Sequence, residues 1–370
     1  MAEKQMVTLE DVAKRIKKDF KKVSLIYAFN ATGKTRLSLE FKKLITPETD
    51  DEASPMHVLY FNAFTEDLFY WNNDLENDST RRMNININSK FVKIIKEQGK
   101  ETDISRKFQQ LTRSKIDPEF DFENGEISFH LRTGDDVAEH SANIKISRGE
   151  ERIFIWSVFY VLLETVMAEL EEDQPLVEFR NINYVFIDDP ISSLDDSYTI
   201  DVAIDLANLI MKAEYDEDKG GMRFILTTHH PLFYNILNNE FGRKKNIVKQ
   251  LLRKTDEGFT LASQDDSPFG YHLVLIDEIN RAIKEENIKQ YHFNLMRNLL
   301  EKTATFMGYT NWSDCIFAEE KEGYVRRLNF YSHSSHAEFT WKEPEPEEKN
   351  LLTKIFNEFI SDFKFNLEKN

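Results

Sequence analysis

The sequence has a single cysteine, Cys315, among its 370 residues. One thiol cannot build a disulfide framework within a chain and cannot supply a cysteine-ligated zinc site. A chain so poor in cysteine fits a reducing compartment. Small disulfide-stapled secreted proteins and zinc-ribbon proteins are therefore excluded.

Long apolar segments are also missing. The longest apolar run covers residues 153–163, stops at Glu164 and is too short to cross a bilayer. Residues 1–20 contain no apolar stretch of the kind that a secretory signal needs. We therefore expect a cytoplasmic protein.

Positive charge is scarce, because 48 Lys and Arg face 65 Asp and Glu, for a net charge of -17. This balance counts against nucleic acid as a partner of the whole surface. The charge is uneven, however: residues 241–370 carry 19 basic and 21 acidic side chains. The run 241–254 contains six Lys or Arg and no acid, so a basic surface is expected in the C-terminal part alone.

Apolar residues make up 41% of the chain and include 29 Phe, which is enough for real cores. The length favours two domains, and a change of pattern near residue 240 suggests domains at 1–240 and 241–370. In the first, short apolar runs alternate with helical patterns and predict an at least partly parallel α/β sheet. These runs are residues 23–28, 56–61, 183–187 and 222–227, with helices from about Lys34 and over 150–170, and with a partly helical, partly β insertion at about 67–145.

The second domain is predicted to be mainly α. Amphipathic patterns predict helices over residues 269–286, 288–307 and 351–367. Residues 341–350 combine two Pro with charged side chains and predict a solvated linker.

Residues 28–35, AFNATGKT, follow the first apolar strand and open a helix, as a P-loop does. The amides of such a loop wrap phosphate oxygens, Lys34 reaches the β- and γ-phosphates, and Thr35 coordinates Mg²⁺. A chance Gly-Lys-Thr at a helix start is the alternative. The residues expected at the nucleotide are Asn30, Ala31, Thr32, Gly33, Lys34, Thr35 and Arg36.

Two positions of this loop depart from the usual pattern. Ala28 and Ala31 stand where glycine is common in such loops. A Cβ there crowds the loop or disfavours a positive φ. The affinity for nucleotide, or its turnover, is therefore open.

Two carboxylates and a histidine follow later strands. Asp188 suits a water-mediated Mg²⁺ contact, and Asp189 stands where ABC ATPases place the carboxylate that polarises water. Residues 193–195, SLD, have the spacing of an ABC D-loop, and His229 ends a further strand as the switch histidine of that superfamily does. A strand-end turn for Asp188 and a plain surface role for His229 are the alternatives.

Ser147-Arg-Gly149-Glu150 precedes a long helix and resembles the ABC signature, although Ser147 could simply cap that helix. Asn62 is a weak candidate for the missing Q-loop glutamine. Taken in chain order, the motifs predict an ABC-type, RecF/SMC-like P-loop nucleotide-binding domain that uses ATP or GTP with Mg²⁺, the ion held through Thr35 and Asp188. Since a signature acts on a partner's nucleotide, a homodimer or higher homo-oligomer is implied.

A second set of functional residues lies near the C-terminal end. Arg297 and Glu301 are four residues apart in a helical pattern and share a face. Most Arg–Glu pairs with this spacing are exposed ion pairs on a helix surface. With His333 or His336 they supply the groups that metal-independent RNA cleavage needs: a base for the ribose 2′-OH, an acid for the leaving oxygen and a cation for the phosphorane.

The sequence closely resembles the PrrC-type anticodon nucleases, bacterial phage-exclusion ribonucleases, over nearly the whole chain. The segments that carry the resemblance are residues 25–30, 32–38, 60–71, 146–151, 154–156 and 188–195. The family's nuclease triad, an Arg, a Glu four residues on and a distal His, fits Arg297, Glu301 and His333. His336 is the rival for the third place, and Ala31 departs from the glycine expected in the family.

The resemblance implies cleavage of the tRNA anticodon loop, typically of lysine tRNA, on the 5′ side of the wobble base. It implies that nucleotide binding regulates the nuclease and that a type I restriction-modification complex is a possible inhibitor. The basic run 243–254 either helps to hold tRNA phosphates or is a solvated linker face. The main rival is a RecF/SMC-like DNA-associated ATPase without nuclease activity, and a second is a sensor whose toxicity belongs to another subunit.

Overall fold

The computed structural model of the chain describes residues 5–46, 56–62, 69–71, 82–87, 89–131, 144–191, 195–216, 220–255, 257–264, 270–318, 321–332 and 344–365. Two compact units divide the chain, Met1–Ser267 and Pro268–Asn370. The structure places this boundary later than residue 240, because two strands beyond that point extend the sheet of the first unit.

The elements of the first unit have the following bounds in the described residues. The strands are β1 (Gln5–Met6), β2 (Val23–Ala28), β3 (Val58–Asn62), β4 (Phe69–Trp71), β5 (Met83–Ile85), β6 (Ile116–Asp121), β7 (Glu126–Leu131), β8 (Tyr184–Asp188), β9 (Tyr215–Asp216), β10 (Gly220–Gly221), β11 (Arg223–Thr228), β12 (Ile247–Thr255) and β13 (Gly258–Ser263). The helices are α1 (Leu9–Asp19), α2 (Lys34–Ile45), α3 (Lys90–Gln98), α4 (Glu101–Thr112), α5 (Arg148–Leu170), α6 (Asp196–Lys212) and α7 (Pro231–Phe241).

The main sheet has the strand order β1-β13-β12-β2-β11-β8-β3. The five strands from β12 to β3 are parallel to one another, whereas β13 is antiparallel to both of its neighbours, β12 and β1. Every residue of β2 and of β8 is buried, as expected for parallel strands covered on both faces. The α/β fold class predicted from the sequence is confirmed.

The predicted insertion is a second, antiparallel sheet with the order β4-β5-β7-β6, accompanied by α3 and α4. Helix α5 joins the two sheets. Its Phe154 ring lies 5.2 Å from the Phe129 ring of β7, and its Phe159 ring lies 4.3 Å from the Phe61 ring of β3, centroid to centroid. Because sheets cover it on two sides, α5 is apolar nearly all round.

By length and composition alone, α5 could also cross a membrane. In its most apolar window, however, 72% of the residues are buried inside the protein. This is the packing of a core helix.

The second unit is mainly helical, as predicted. Its described elements are α8 (Tyr271–Lys284), α9 (Gln290–Met307), a 3₁₀ helix (Trp312–Cys315), α10 (Lys321–Ser332) and α11 (Pro346–Asp362). Helix α9 lies against α8, α10, α11 and the 3₁₀ helix, and its Phe293, Met296 and Leu299 are fully buried.

In this unit one helix was missed and one prediction is wrong. Helix α10 was not predicted, since its buried stripe is narrow: of its first ten residues, Tyr324 and Leu328 alone are buried. The linker expected at 341–350 is partly helix, because α11 begins at Pro346, where a proline lacks an amide that the first turn would leave unpaired.

Candidate functional site

Four neighbouring parallel strands end at one edge of the main sheet. Tyr27 of β2 is level with Thr228 of β11, and Asp188 of β8 is level with Thr227 on one side and with Asn62 of β3 on the other. The residues that follow these strands therefore meet in one crevice, where α/β sheets bind their ligands.

The loop after β2 has the backbone of a phosphate-binding loop. Gly33 has a φ of 105° immediately before the first residue of α2, and the Thr32 amide donates to the Phe29 carbonyl at 3.3 Å. Ala31 has a φ of 63°, which is the left-handed region that favours glycine. The sequence therefore departs from glycine at a position where the backbone conformation favours it.

The Lys34 side chain folds back over this loop and is 8% exposed. Its Nζ lies 3.4 Å from the carbonyl oxygens of Ala28 and Phe29 and 3.4 Å from Asn30 Oδ1. It is also 3.6 Å from Asp189 Oδ2. The cation is thus held at the loop, where a phosphate can replace its protein partners.

Asp188 is the centre of a polar cluster. Its Oδ1 accepts from Thr227 Oγ1 at 2.6 Å, and its Oδ2 accepts from Thr35 Oγ1 at 2.7 Å and from Asn62 Nδ2 at 3.3 Å. Burial raises the pKa of Asp188, against the effect of the two hydroxyl hydrogen bonds. Arg36, next to Thr35, is exposed.

This cluster fits a magnesium ion. A hydroxyl and a carboxylate are oxygen ligands of the kind Mg²⁺ takes beside nucleotide phosphates. A cation there would also favour the charged form of Asp188, which burial opposes. Thr35 and Asp188 are the residues that would hold it, and Asn62 lies within reach.

Asp189 is bound on three sides. Its Oδ1 accepts from Thr228 Oγ1 at 3.2 Å, and its Oδ2 makes a short hydrogen bond with His229 Nδ1. Burial alone would raise the pKa of Asp189, but the His229 hydrogen bond and the charges of His229 and Lys34 hold it below its usual range. The backbone of Asp189 has a left-handed φ of 50°.

The signature-like residues begin α5. Ser147 Oγ accepts from the Glu150 amide at 3.2 Å, and Glu150 Oε2 accepts from the Ser147 amide at 2.7 Å. Ser147 is therefore a helix cap, which was one of its two predicted roles. Ser147 is exposed and Gly149 is half-buried. Of the D-loop, residues 193 and 194 lie outside the described residues, and Asp195 directly precedes α6.

The second unit holds Arg297 and Glu301 together. Arg297 Nε donates to Glu301 Oε1 at 2.7 Å, and a second guanidinium nitrogen donates to Asn329 Oδ1 of α10 in a short hydrogen bond. The guanidinium carbon lies 4.2 Å from the centre of the Trp312 ring. The Arg297 side chain is 16% exposed, while that of Glu301 is 46% exposed. Arg297 is thus far more confined than an exposed helix ion pair.

His333 and His336 lie outside the described residues. Residues 329–332, which precede them, form the last turn of α10, and Ser332 is its last residue. Asn329 and Trp312 were missed from the sequence. The short distance of Asn329 from His333 along the chain was the one signal that pointed to it.

The predicted basic run 243–254 is neither a linker nor a continuous basic surface. From Ile247 onwards it is strand β12, where Lys249 and Arg253 are 6% and 8% exposed. Lys249 Nζ donates to the carbonyls of Asn238 and Gly242 at 2.8 and 2.7 Å. These cations are parts of the first unit's core.

A P-loop after one strand, two carboxylates after a nearby parallel strand and a histidine after the strand between them define a nucleotide-binding domain of the ABC-ATPase type. No family model matches the chain. The chain is 42% identical to the anticodon nuclease of Escherichia coli over 389 aligned residues, which cover 98% of this chain and 96% of that protein. It therefore belongs to the PrrC-type anticodon nuclease family.

Solved structures with some likeness are head domains of SMC proteins. The SMC head domain from Thermotoga maritima has a TM-score of 0.31 at 13% identity and covers 65% of this chain and 90% of that one. An SMC head bound to the C-terminal winged-helix domain of ScpA has a TM-score of 0.28 at 14% identity and covers 50% of this chain and 49% of that one. TM-scores this low carry no weight, and the assignment of the nucleotide-binding domain rests on the residues at the strand ends.

Proposed function

We propose that the chain is a nucleotide-regulated endoribonuclease that cuts tRNA in the anticodon loop, with lysine tRNA as the main substrate. The cut falls on the 5′ side of the wobble base. The ribose 2′-OH attacks the adjacent phosphorus, the bond to the 5′-oxygen breaks, and the products carry a 2′,3′-cyclic phosphate and a 5′-OH.

The observation that supports this proposal most is the environment of Arg297. Its guanidinium touches Glu301, Asn329 and Trp312 at once. A cation fixed in this way is prepared for a developing negative charge without reorganisation. An ordinary solvent-exposed ion pair on a helix has no such confinement.

The residues divide the chemistry between them. The Glu301 carboxylate takes the proton of the 2′-OH, and His333 gives a proton to the leaving 5′-oxygen. Arg297 uses two N–H groups for Glu301 and Asn329, and the guanidinium has five in all. Its other N–H groups can bind phosphate oxygens. His333 directly follows Ser332, the last residue of α10. In the same turn of α10, the Asn329 side chain contacts Arg297.

The first unit regulates this site with ATP or GTP and Mg²⁺. Lys34 and the amides of residues 30–36 hold the phosphates, while Thr35 and Asp188 hold the ion, which neutralises phosphate charge. Asp189 and His229 respond to the terminal phosphate. Ser147 and Gly149, at the exposed start of α5, contact the nucleotide of a second copy, so the active form is a homodimer or a higher homo-oligomer.

The biological role that follows is antiphage defence in the cytoplasm. A toxic anticodon nuclease needs an inhibitor in uninfected cells, and a type I restriction-modification complex fills that role.

Incubation of the purified chain with tRNA, nucleotide and Mg²⁺ tests the proposal. We expect half-tRNA fragments with cyclic-phosphate ends, and we expect Glu301→Ala and His333→Ala each to slow cleavage by about 100-fold or more. Nucleotide binding should survive in both variants. Normal cleavage by His333→Ala together with loss in His336→Ala would transfer the acid role to His336. Intact tRNA with DNA-stimulated ATP hydrolysis would instead indicate a RecF/SMC-like ATPase.

A further inference from the structure

The outer face of α10 carries an exposed aromatic ring one helical turn from an exposed cation. Arg326 and Phe330 are four residues apart and share that face. The Arg326 side chain is 84% exposed, and Phe330 is 73% exposed. The opposite side of the helix is anchored by Tyr324 and Leu328, which are 3% and 0% exposed.

This face borders the proposed nuclease site. Asn329 immediately precedes Phe330, and its side-chain oxygen accepts the hydrogen bond from Arg297. A chain of RNA whose phosphate lies at Arg297 therefore passes along the same end of α10.

The charge of the face suits RNA. Helix α10 contains Lys321, Arg326 and Arg327 against a single acid, Glu322. The nearest oxygen of Glu322 is 3.9 Å from Arg326, and the two side chains are 92% and 84% exposed. Such an exposed pair is weak and gives way to a phosphate at little cost.

We propose that Arg326 and Phe330 form a binding subsite for the single-stranded loop of the RNA substrate. The Phe330 ring stacks on an unpaired base next to the cleaved linkage, and Arg326 pairs with a flanking phosphate. Sequence-specific RNA recognition uses this combination, because loop bases can be splayed out onto aromatic side chains. The subsite rests on the proposed ribonuclease function and adds the residues that hold the loop.

Binding of labelled tRNA to the full-length Glu301→Gln protein tests whether the Phe330 ring stacks on a base. We expect Phe330→Ala to raise the Kd by about 5- to 150-fold, the range that loss of one base stack gives. Phe330→Tyr and Phe330→Trp keep a stacking surface and should bind nearly normally. The matched control is Phe306→Ala in α9, because Phe306 is 89% exposed and lies about 140° around that helix from Glu301.

The salt dependence of binding tests the cation. Arg326→Gln should reduce the slope of log Kd against log salt by about 0.7, the value for one phosphate of a single strand. Glu322→Gln should tighten binding, because it removes the carboxylate that competes with phosphate for Arg326.

The outcomes separate this subsite from the function on which it rests. If Glu301→Gln binds tRNA and the wild type cleaves it, equal affinity of Phe330→Ala and Phe306→Ala overturns the subsite alone. Equal weakening by Phe330→Ala, Phe330→Tyr and Phe330→Trp also overturns it, since the effect would then be structural. If the wild type neither binds nor cuts tRNA, the proposed function itself fails.

Discussion

The Asn329 side chain accepts a hydrogen bond from the Arg297 guanidinium and so ties the last turn of α10 to the middle of α9. Glu301 accepts a second hydrogen bond from the guanidinium, and the Trp312 ring lies against it. The three contacts together fix its position. Asn329 is thus a positioning residue for the cation that the proposed cleavage needs.

Loss of this contact should slow cleavage more than it weakens substrate binding. We expect Asn329→Ala to lower kcat by about tenfold to 100-fold, since small displacements of catalytic groups cost that much, with a smaller change in KM. Asn329→Asp keeps an oxygen acceptor and should recover part of the rate. A fall in thermal stability with kcat unchanged would show that Asn329 is structural only.

The hydrogen bond from Thr35 to Asp188 predicts how magnesium enters nucleotide binding. Thr35→Val removes both a ligand hydroxyl and a donor to a buried carboxylate. We expect the Mg²⁺-dependent tightening of nucleotide binding, measured by titration with a fluorescent nucleotide, to be lost in Thr35→Val and kept in Thr35→Ser. Equal Mg²⁺ dependence in both variants would contradict the assignment of Thr35 and Asp188.

The backbone conformation of Ala31 predicts that a substitution by glycine, which usually destabilises a protein, stabilises this one. Because Ala31 has a φ of 63°, Ala31→Gly should raise the free energy of unfolding by about 1 kcal/mol. Ala28→Gly is the matched control: Ala28 is fully buried at the end of β2, so glycine there should destabilise the fold. Urea unfolding of both variants measures the difference. A loss of stability in both would contradict the claim that the left-handed φ of Ala31 costs stability.

Buried His292 predicts a pH dependence for the second unit. Burial lowers the pKa of His292 from 6.5 to about 4, so the unfolded chain takes up this proton at a higher pH than the folded one. The neutral imidazole therefore stabilises the fold fully above pH 6.5, and that stability is lost as the pH falls towards 4. The loss should approach about 3 kcal/mol.

His292→Gln separates this effect from other titrations. A glutamine oxygen can still accept from the Lys289 amide, which donates to His292 Nδ1 at 2.8 Å, but it does not titrate. The stability difference between wild type and His292→Gln, from urea unfolding at several pH values, should shrink or reverse on acidification. A difference that stays constant between pH 7 and pH 4.5 would contradict the assignment to His292.

Most strands and helices of the first unit could be predicted from local sequence patterns. Strands such as Val23–Ala28 are short, apolar apart from Ser24 and followed by a motif whose residues are adjacent in the chain, so both strand and loop could be predicted. The position of strand β13 in the sheet could not be predicted, because it is set by tertiary pairing with β12 and β1. The charges of β12 suggested a surface, whereas Lys249 finds its acceptors at the C-terminal end of α7, the carbonyls of Asn238 and Gly242.

The second site was harder to predict for the same reason. The Arg297–Glu301 pair is one helical turn apart and visible in the sequence. Its confinement comes from Trp312 and Asn329, on other elements, and no periodic signal links these residues.

Cleavage of lysine tRNA with a single 2′-deoxy substitution on the 5′ side of the scissile bond tests the proposed chemistry most directly. The substituted tRNA should bind with nearly unchanged affinity but stay intact, because the attacking hydroxyl is missing. Cutting of the substituted tRNA at the same bond and a similar rate would contradict attack by the 2′-OH and the roles given to Arg297, Glu301 and His333.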